Sequence, residues 1–343
     1  MDFTATILDW YDSYGRDLPW RRTRDPYAIW LSEIILQQTR IAQGTDYWLR
    51  FLERFPDVRS LADASEDEVL RLWEGLGYYS RARNLHAAAR QIVALGAFPD
   101  TLEGIRALKG IGDYTAAAIG SIAFGLPAAV VDGNVYRVLS RHYGITTPVG
   151  TTAAKKEFTV LAQSLLPGDR AGDFNQGMMD FGAMQCTPQS PACLTCPLAA
   201  ACEALRTGLV GQLPVRKAGP AVRDRYFSCI YLRCNGRTAL RRRPAGDIWQ
   251  GLWEPFLVEH ADAGRNGPWP SWAAAGSLIP LRSGVRHQLT HLTLHADFFL
   301  FESEAEPSLP EGFRWIPETE LDRYAKPRLF ELLLKELHKH FNP

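Results

Sequence analysis

Three groups of residues in this chain have the types and spacing that chemistry asks for. Gly110 and Gly112 flank one apolar residue in Leu108-Lys109-Gly110-Ile111-Gly112, just ahead of a helix-forming run. Such a turn is tight and aims backbone N–H groups outward at an anion, for which a nucleic-acid phosphate is the natural guest. Asp132 follows where Ala128-Ala129-Val130-Val131 ends and an amphipathic run begins. Its simplest reading is a helix N-cap, a position that also keeps a carboxylate ionised. Glu33 lies in Ile29-Trp30-Leu31-Ser32-Glu33-Ile34-Ile35, a segment that apolar residues nearly encircle on a helical wheel. Partial desolvation there raises the pKa and suits a general acid near neutral pH, whereas the competing reading is a structural Glu paired with Arg16 or Arg21.

The third group is Cys186, Cys193, Cys196 and Cys202, spaced C-x6-C-x2-C-x5-C with prolines shaping the loops. Four thiolates in so short a span point to a metal, and the spacing alone leaves tetrahedral zinc and a [4Fe–4S] cluster both open. Cys229 and Cys234 have no partners at ligand spacing and read as packing residues.

An acid poised to protonate and a carboxylate held anionic are what glycosidic cleavage needs: protonate the leaving group, then stabilise an oxocarbenium-like sugar. Beside a phosphate-gripping turn, the sugar is a deoxyribose and the leaving group a base, which must be flipped out of the duplex to be reached. Gln37-Gln38 and Gly75-Leu76-Gly77-Tyr78-Tyr79 offer wedge residues to fill the gap, although Tyr79 reads better as packing.

The elements that must position these groups are mostly helical. From Phe3 to about Arg206 apolar residues recur every three or four positions, starting with an amphipathic helix over Met1 to Tyr14 that lacks signal-peptide character. Residues 207–224, rich in Gly, Pro and basic residues, read as a linker. The period then changes to two, with an Asn235-Gly236 hairpin turn, strands near Trp253 to Val258 and His291 to Phe301, and a helix over about Pro327 to His340, so the second domain is α+β. Lys+Arg and Asp+Glu are equal at 38 each, so attraction to DNA must come from local patches. The candidates are Lys155-Lys156, the stretch from Arg206 through Arg216-Lys217 to Arg225, and Arg241-Arg242-Arg243. No apolar run approaches membrane-spanning length, and the chain is expected to be soluble and cytoplasmic, with no disulfide framework.

Together, Leu18-Pro19-Trp20-Arg21, Ser32-Glu33 with Leu36-Gln37-Gln38-Thr39, Trp73 to Tyr79, the glycine turn, Val131-Asp132-Gly133-Asn134 and the cysteine spacing resemble the helix-hairpin-helix DNA glycosylases, specifically the adenine DNA glycosylases of the MutY family. The resemblance covers essentially the whole chain. It implies an all-α glycosylase domain over 1–206, with the hairpin at 108–120 and an iron–sulfur loop at 186–202, followed by a Nudix-like α+β domain over 225–343. It also implies a [4Fe–4S] cluster on the four cysteines, protonation of adenine N7 by Glu33, and stabilisation or transient bonding of the sugar C1′ by Asp132, with Tyr114 and Asn134 assisting.

Arg16, Leu18, Trp20, Arg21 and Gln176 match the family's adenine pocket; Gln38, Leu76 and Tyr78 match its wedge positions. Thr290 and His291 match the polar pair of a loop that inspects 8-oxoguanine, while Leu289 replaces an aromatic residue usual there. The implied partner is double-stranded DNA with adenine opposite 8-oxoguanine or guanine, bound by a monomer. The related endonuclease III type places a Schiff-base lysine where this chain has Tyr114, and a phenol forms no imine. No Nudix hydrolase signature with its glutamates is present. His287, His291 and His295 share a four-residue spacing, but the alternation around them predicts a strand, where that spacing builds no compact metal site.

Overall fold

The computed structural model describes residues 2–217, 222–264, 269–273 and 277–342. Residues 218–221 of the expected linker lie outside the described residues. The chain divides into two compact units, Met1–Asp63 with Asn84–Ala218, and Ala64–Arg83 with Gly219–Pro343. The second unit thus takes in a short stretch of the helical half: Arg242 Nη2 binds Glu66 Oε1 at 2.8 Å, and Tyr79 Oη donates to the Lys326 carbonyl at 3.3 Å. Tyr79 is buried, as its packing reading expects.

The first unit is helical. Pro26–Ile35 begins with Asp25 as N-cap and Pro26 in its first turn, and it buries residues on every side, which is how an all-round apolar helix becomes the centre of a domain. It packs on Ile41–Arg54 and Asp113–Phe124. Phe3–Tyr14 buries Phe3, Ile7 and Trp10 against Ala171–Met184, and that helix in turn packs on Asp113–Phe124 and Gly133–Tyr143. The last approach depends on Gly182, where an added Cβ would stand 2.6 Å from the Asn134 Cβ.

The turn between Leu102–Arg106 and Asp113–Phe124 is the expected hairpin, but its two glycines differ. Gly110 is left-handed (φ 79°), and a Cβ there would meet the Asn84 Cβ at 2.6 Å. Gly112 is extended (φ −101°, ψ −179°) and open, and it caps the following helix with backbone alone. What the turn needs from Gly112 is therefore the absence of a side chain over the helix N-terminus, not a special backbone angle.

In the second unit β1 (Arg223–Cys234), β2 (Arg237–Arg242), β3 (Trp253–Glu254), β4 (Phe256–His260), β5 (Ile279–Gln288), β6 (Leu292–Ser303) and β7 (Phe313–Pro317) form one mixed sheet. Asn235 (φ 48°) and Gly236 (φ 72°) make the left-handed turn that joins β1 to β2. β1 runs parallel to β6 from Arg223↔Leu292 to Cys234↔Ser303. Phe227, Cys229 and Tyr231 enter the core beneath the helix Arg328–Phe341, whereas Ile230 and Leu232 enter a second core on the opposite face. β5 and β7 escaped the period-two reading, β5 because irregularities at Pro280/Arg282 and Arg282/Val285 interrupt its alternation. Among the described residues no helix is long and apolar enough to cross a membrane.

Gly110→Ala is expected to cost on the order of 1–3 kcal/mol through its left-handed backbone, plus whatever displacing Asn84 adds. Gly112→Ala should stay within about 0.5 kcal/mol in urea denaturation. Equal losses at the two positions would contradict this assignment.

Candidate active site and its supporting clusters

Glu33, Asp132, Tyr114, Asn134, Gly110 and Gly112 all line one cavity of about 680 Å3 in the first unit. Glu33 projects from the centre of the apolar helix, and Tyr114, in the first turn after the hairpin, donates from Oη to Glu33 Oε2 at 3.2 Å. Burial pushes the Glu33 carboxyl up to about 7, aided by the nearby Asp132 and opposed by the Tyr114 hydrogen bond and Arg21. Asp132 is the N-cap of Gly133–Tyr143: its Oδ1 accepts from the amides of Asn134 (2.9 Å) and Val135 (2.8 Å), and its Oδ2 from Asn134 Nδ2 (2.8 Å). The cap does not fully govern its charge. Burial moves Asp132 upward from the usual aspartate value, against the pull of those donors and of Arg137.

The adenine-pocket candidates Arg16, Leu18, Trp20, Arg21 and Gln176 line the same cavity, as does Gln38 with its unusual φ of 58°. The reading of Glu33 as the partner of Arg16 or Arg21 fails here, because both arginines are taken by a residue the sequence did not flag. Asp180 Oδ2 accepts from Arg21 Nη1 (2.6 Å) and the Arg16 amide (2.9 Å). Its Oδ1 accepts from Arg21 Nη2 (2.9 Å), Arg16 Nε (2.8 Å) and Arg16 Nη2. The Asp180 side chain is fully buried; burial opposes its charge, yet the Arg21 and Arg16 hydrogen bonds outweigh it and hold the carboxyl below its ordinary value. An Asp flanked by Met178, Met179 and Phe181 on a helix face was the available signal.

Arg137 is the second functional neighbour that was missed. Its Nη2 donates to Asn134 Oδ1 (2.8 Å), which turns the Asn134 amide so that its NH2 faces Asp132. Its Nε reaches the Cys186 carbonyl at 2.7 Å. Cys186, Cys193, Cys196 and Cys202 line one small cavity together with Arg141, whose Nη1 stands 3.4 Å from Cys186 Sγ. Among the described residues no group of three or more His, Cys, Asp or Glu side chains has the geometry to hold a metal ion.

Leu76, Tyr78, Thr290 and His291 belong to the second unit, where they line a cavity of about 640 Å3. Tyr78 (φ 46°) shares a hydrogen bond between its Oη and Thr290 Oγ1. Thr290 and His291 are exposed in the tight turn closed by Leu289 N to Leu292 O (2.8 Å), while Leu289 packs against the sheet core. His287 lies on β5, and His295 on β6 bonds Asp224 at 2.7 Å and stacks on Tyr226, so the three histidines do separate things.

Most of the expected basic patches dissolve into ion pairs. Lys155 binds Asp113, Arg206 binds Glu203, Arg225 binds Asp247 and Glu259, and Arg241 and Arg243 share Glu254. Runs of basic residues in sequence are not runs of free charge in space.

The class of protein is defined by two matches: residues 31–163 match the model of the HhH-GPD superfamily of base excision DNA repair proteins, and residues 228–336 match a NUDIX domain. The chain is 43% identical over 233 residues to an adenine DNA glycosylase of Mus musculus, covering 65% of this chain but 45% of that protein. It is 42% identical over 404 aligned positions to the adenine DNA glycosylase of Rattus norvegicus, covering 98% of this chain and 78% of that protein. A solved thermostable thymine-DNA glycosylase is 32% identical with a TM-score of 0.55, covering 60% of this chain and 95% of its own. The chain belongs to the adenine DNA glycosylase family.

A carboxyl raised from 4.5 to about 7 in the fold binds more protons than its unfolded counterpart between those pH values, so Glu33 lowers stability as pH rises through that window. Glu33→Gln should therefore match or trail the parent protein near pH 4.5 and gain on it progressively up to pH 7, by chemical denaturation. A pH-independent difference would place the Glu33 titration elsewhere.

Proposed function

We propose that this chain is a monofunctional DNA glycosylase of base excision repair that hydrolyses the N-glycosidic bond of adenine mispaired with 8-oxoguanine or guanine. The observation that carries this reading is that Glu33 and Asp132 line one cavity, Glu33 bonded to Tyr114 and Asp132 to Asn134, with the glycine hairpin in its wall. Glu33, protonated in an appreciable fraction of molecules near pH 7, gives its proton to adenine N7. The C1′–N9 bond breaks with its electron pair leaving on adenine, and the cationic C1′ is stabilised or transiently bonded by the Asp132 carboxylate. Water then adds at C1′ and gives up a proton to the Glu33 carboxylate, which restores the acid. Tyr114 and Asn134 hold the two carboxyl groups in place. Tyr114 offers no amine for an imine, so the product is an abasic site in an uncut strand.

Arg16, Leu18, Trp20, Arg21 and Gln176 enclose the flipped adenine. Gln38, Leu76 and Tyr78 fill the stack around the orphaned base, and the Thr290-His291 turn inspects 8-oxoguanine by hydrogen bonding. The half-buried Leu289 takes the place of a stacking ring.

The four cysteines hold a [4Fe–4S] cluster, a reading supported by a donor set of four thiols around one cavity. When bound, the cluster supplies Fe–S bonds that cross-link the 186–202 loop and, through the Cys186 carbonyl, brace Arg137. The protein acts as a monomer on duplex DNA in the cytoplasm, on the nucleoid if bacterial.

Single-turnover assays on duplexes with adenine opposite 8-oxoguanine or guanine should release adenine and break the strand only after alkali. Glu33→Gln should keep mismatch binding and lose release by at least about a hundredfold. Alkali-independent breakage, or parent-rate excision by the variant, would overturn the mechanism.

A further inference from the structure

The cavity around Glu33 contains a charge problem that the proposed chemistry does not itself solve. A guanidinium in the pocket of a general acid draws out the acid's proton, since an opposite charge within a few ångströms favours the carboxylate. Arg21 is such a group, and it lowers the pKa of Glu33. The other titratable or charged groups around them are Tyr114 from Asp113–Phe124, Asp132 at the start of Gly133–Tyr143, Arg16 before the Pro19–Arg21 turn, and Tyr11 on Phe3–Tyr14. The Tyr11 ring lies 5.5 Å from the Arg21 guanidinium.

The remaining member is Asp180 on Ala171–Met184, fully buried and bonded to two atoms of Arg21, two side-chain atoms of Arg16 and the Arg16 amide. We propose that Asp180 is a positioning residue that claims both guanidinium groups, holds Arg21 away from the Glu33 carboxylate, and so keeps Glu33 available as an acid. This rests on the reading of Glu33 as the general acid. The geometry suits that role, because Arg21 meets Asp180 through both terminal nitrogens, a fork that fixes the plane of the guanidinium and leaves it no free terminal pair for a second carboxylate. One anion against two cations leaves the cluster with one net positive charge, enough to receive an electron-rich base without ionising Glu33.

Two substitutions change that charge in opposite directions. Asp180→Asn leaves two unmatched guanidinium groups and should lower the Glu33 titration midpoint by about one pH unit. Arg16→Gln leaves Asp180 matched by Arg21 alone and should raise the midpoint by roughly half a unit. The midpoint is read without catalysis, from the carboxyl 13C resonance of Glu33 in protein with labelled glutamate, assigned by its loss in Glu33→Gln. The alkaline limb of single-turnover adenine release should move the same way, with about a tenfold slower rate for Asp180→Asn above both limbs.

A residue that merely braces the fold would lower activity at every pH and leave the midpoint in place. An unmoved midpoint, or shifts of the same sign in both variants, overturns the proposal. If Asp180→Asn does not fold, Arg16→Gln decides alone, and an unmoved or lowered midpoint sinks the idea. If the parent protein releases no adenine while the midpoints still move apart, the glycosylase reading fails and the electrostatic role of Asp180 stands.

Discussion

A buried carboxyl group raised to about 7 beside a second, more heavily hydrogen-bonded one is the constraint around which the first unit is arranged. Glu33 is raised mainly by desolvation, and desolvation requires that the helix Pro26–Ile35 be surrounded, since an exposed face would let water solvate the charge. The surrounding helices do more than exclude water. Asp113–Phe124 brings Tyr114 from one side, Gly133–Tyr143 brings Asp132 at its capped end, and Ala171–Met184 brings Asp180 from behind. Burial acts upward on Asp132 too, and what distinguishes the two carboxyl groups is their hydrogen bonds: one phenol for Glu33 against two backbone amides and a side-chain amide for Asp132.

The chain's balanced charge reappears as local pairing. Asp180 holds two arginines beside the cavity, and Glu254, itself buried, holds Arg241 and Arg243 in the sheet unit. Buried guanidinium groups need such partners because an isolated charge is costly out of water. The arginine clusters that look basic in the sequence are thus largely matched by local carboxylates.

The second unit shows how a sheet can present a short loop with accuracy. β5 and β6 pair antiparallel up to Gln288↔Thr293, and β6 is locked along its length to β1, so the turn between them has little freedom. Thr290 and His291 stand on that turn while Leu289 faces inward.

Much of this was legible in the sequence, wherever the determinant is local. Helical periodicity located the first unit, Asn235-Gly236 fixed a hairpin because its turn demands left-handed residues, and an acid in an apolar helix announced its own desolvation. Four cysteines in seventeen residues, from Cys186 to Cys202, come together around one small cavity, as their close spacing suggests. Tertiary structure alone decided which charges neutralise one another. Asp180 lies 164 positions from Arg16, and Arg137 reaches Cys186 across 49, so no spacing rule connects them. The parallel pairing of β1 with β6 is equally non-local. Sequence sets each group's intrinsic chemistry and its local backbone preference; electrostatic partners are set by which helices pack, and packing is a property of the whole fold.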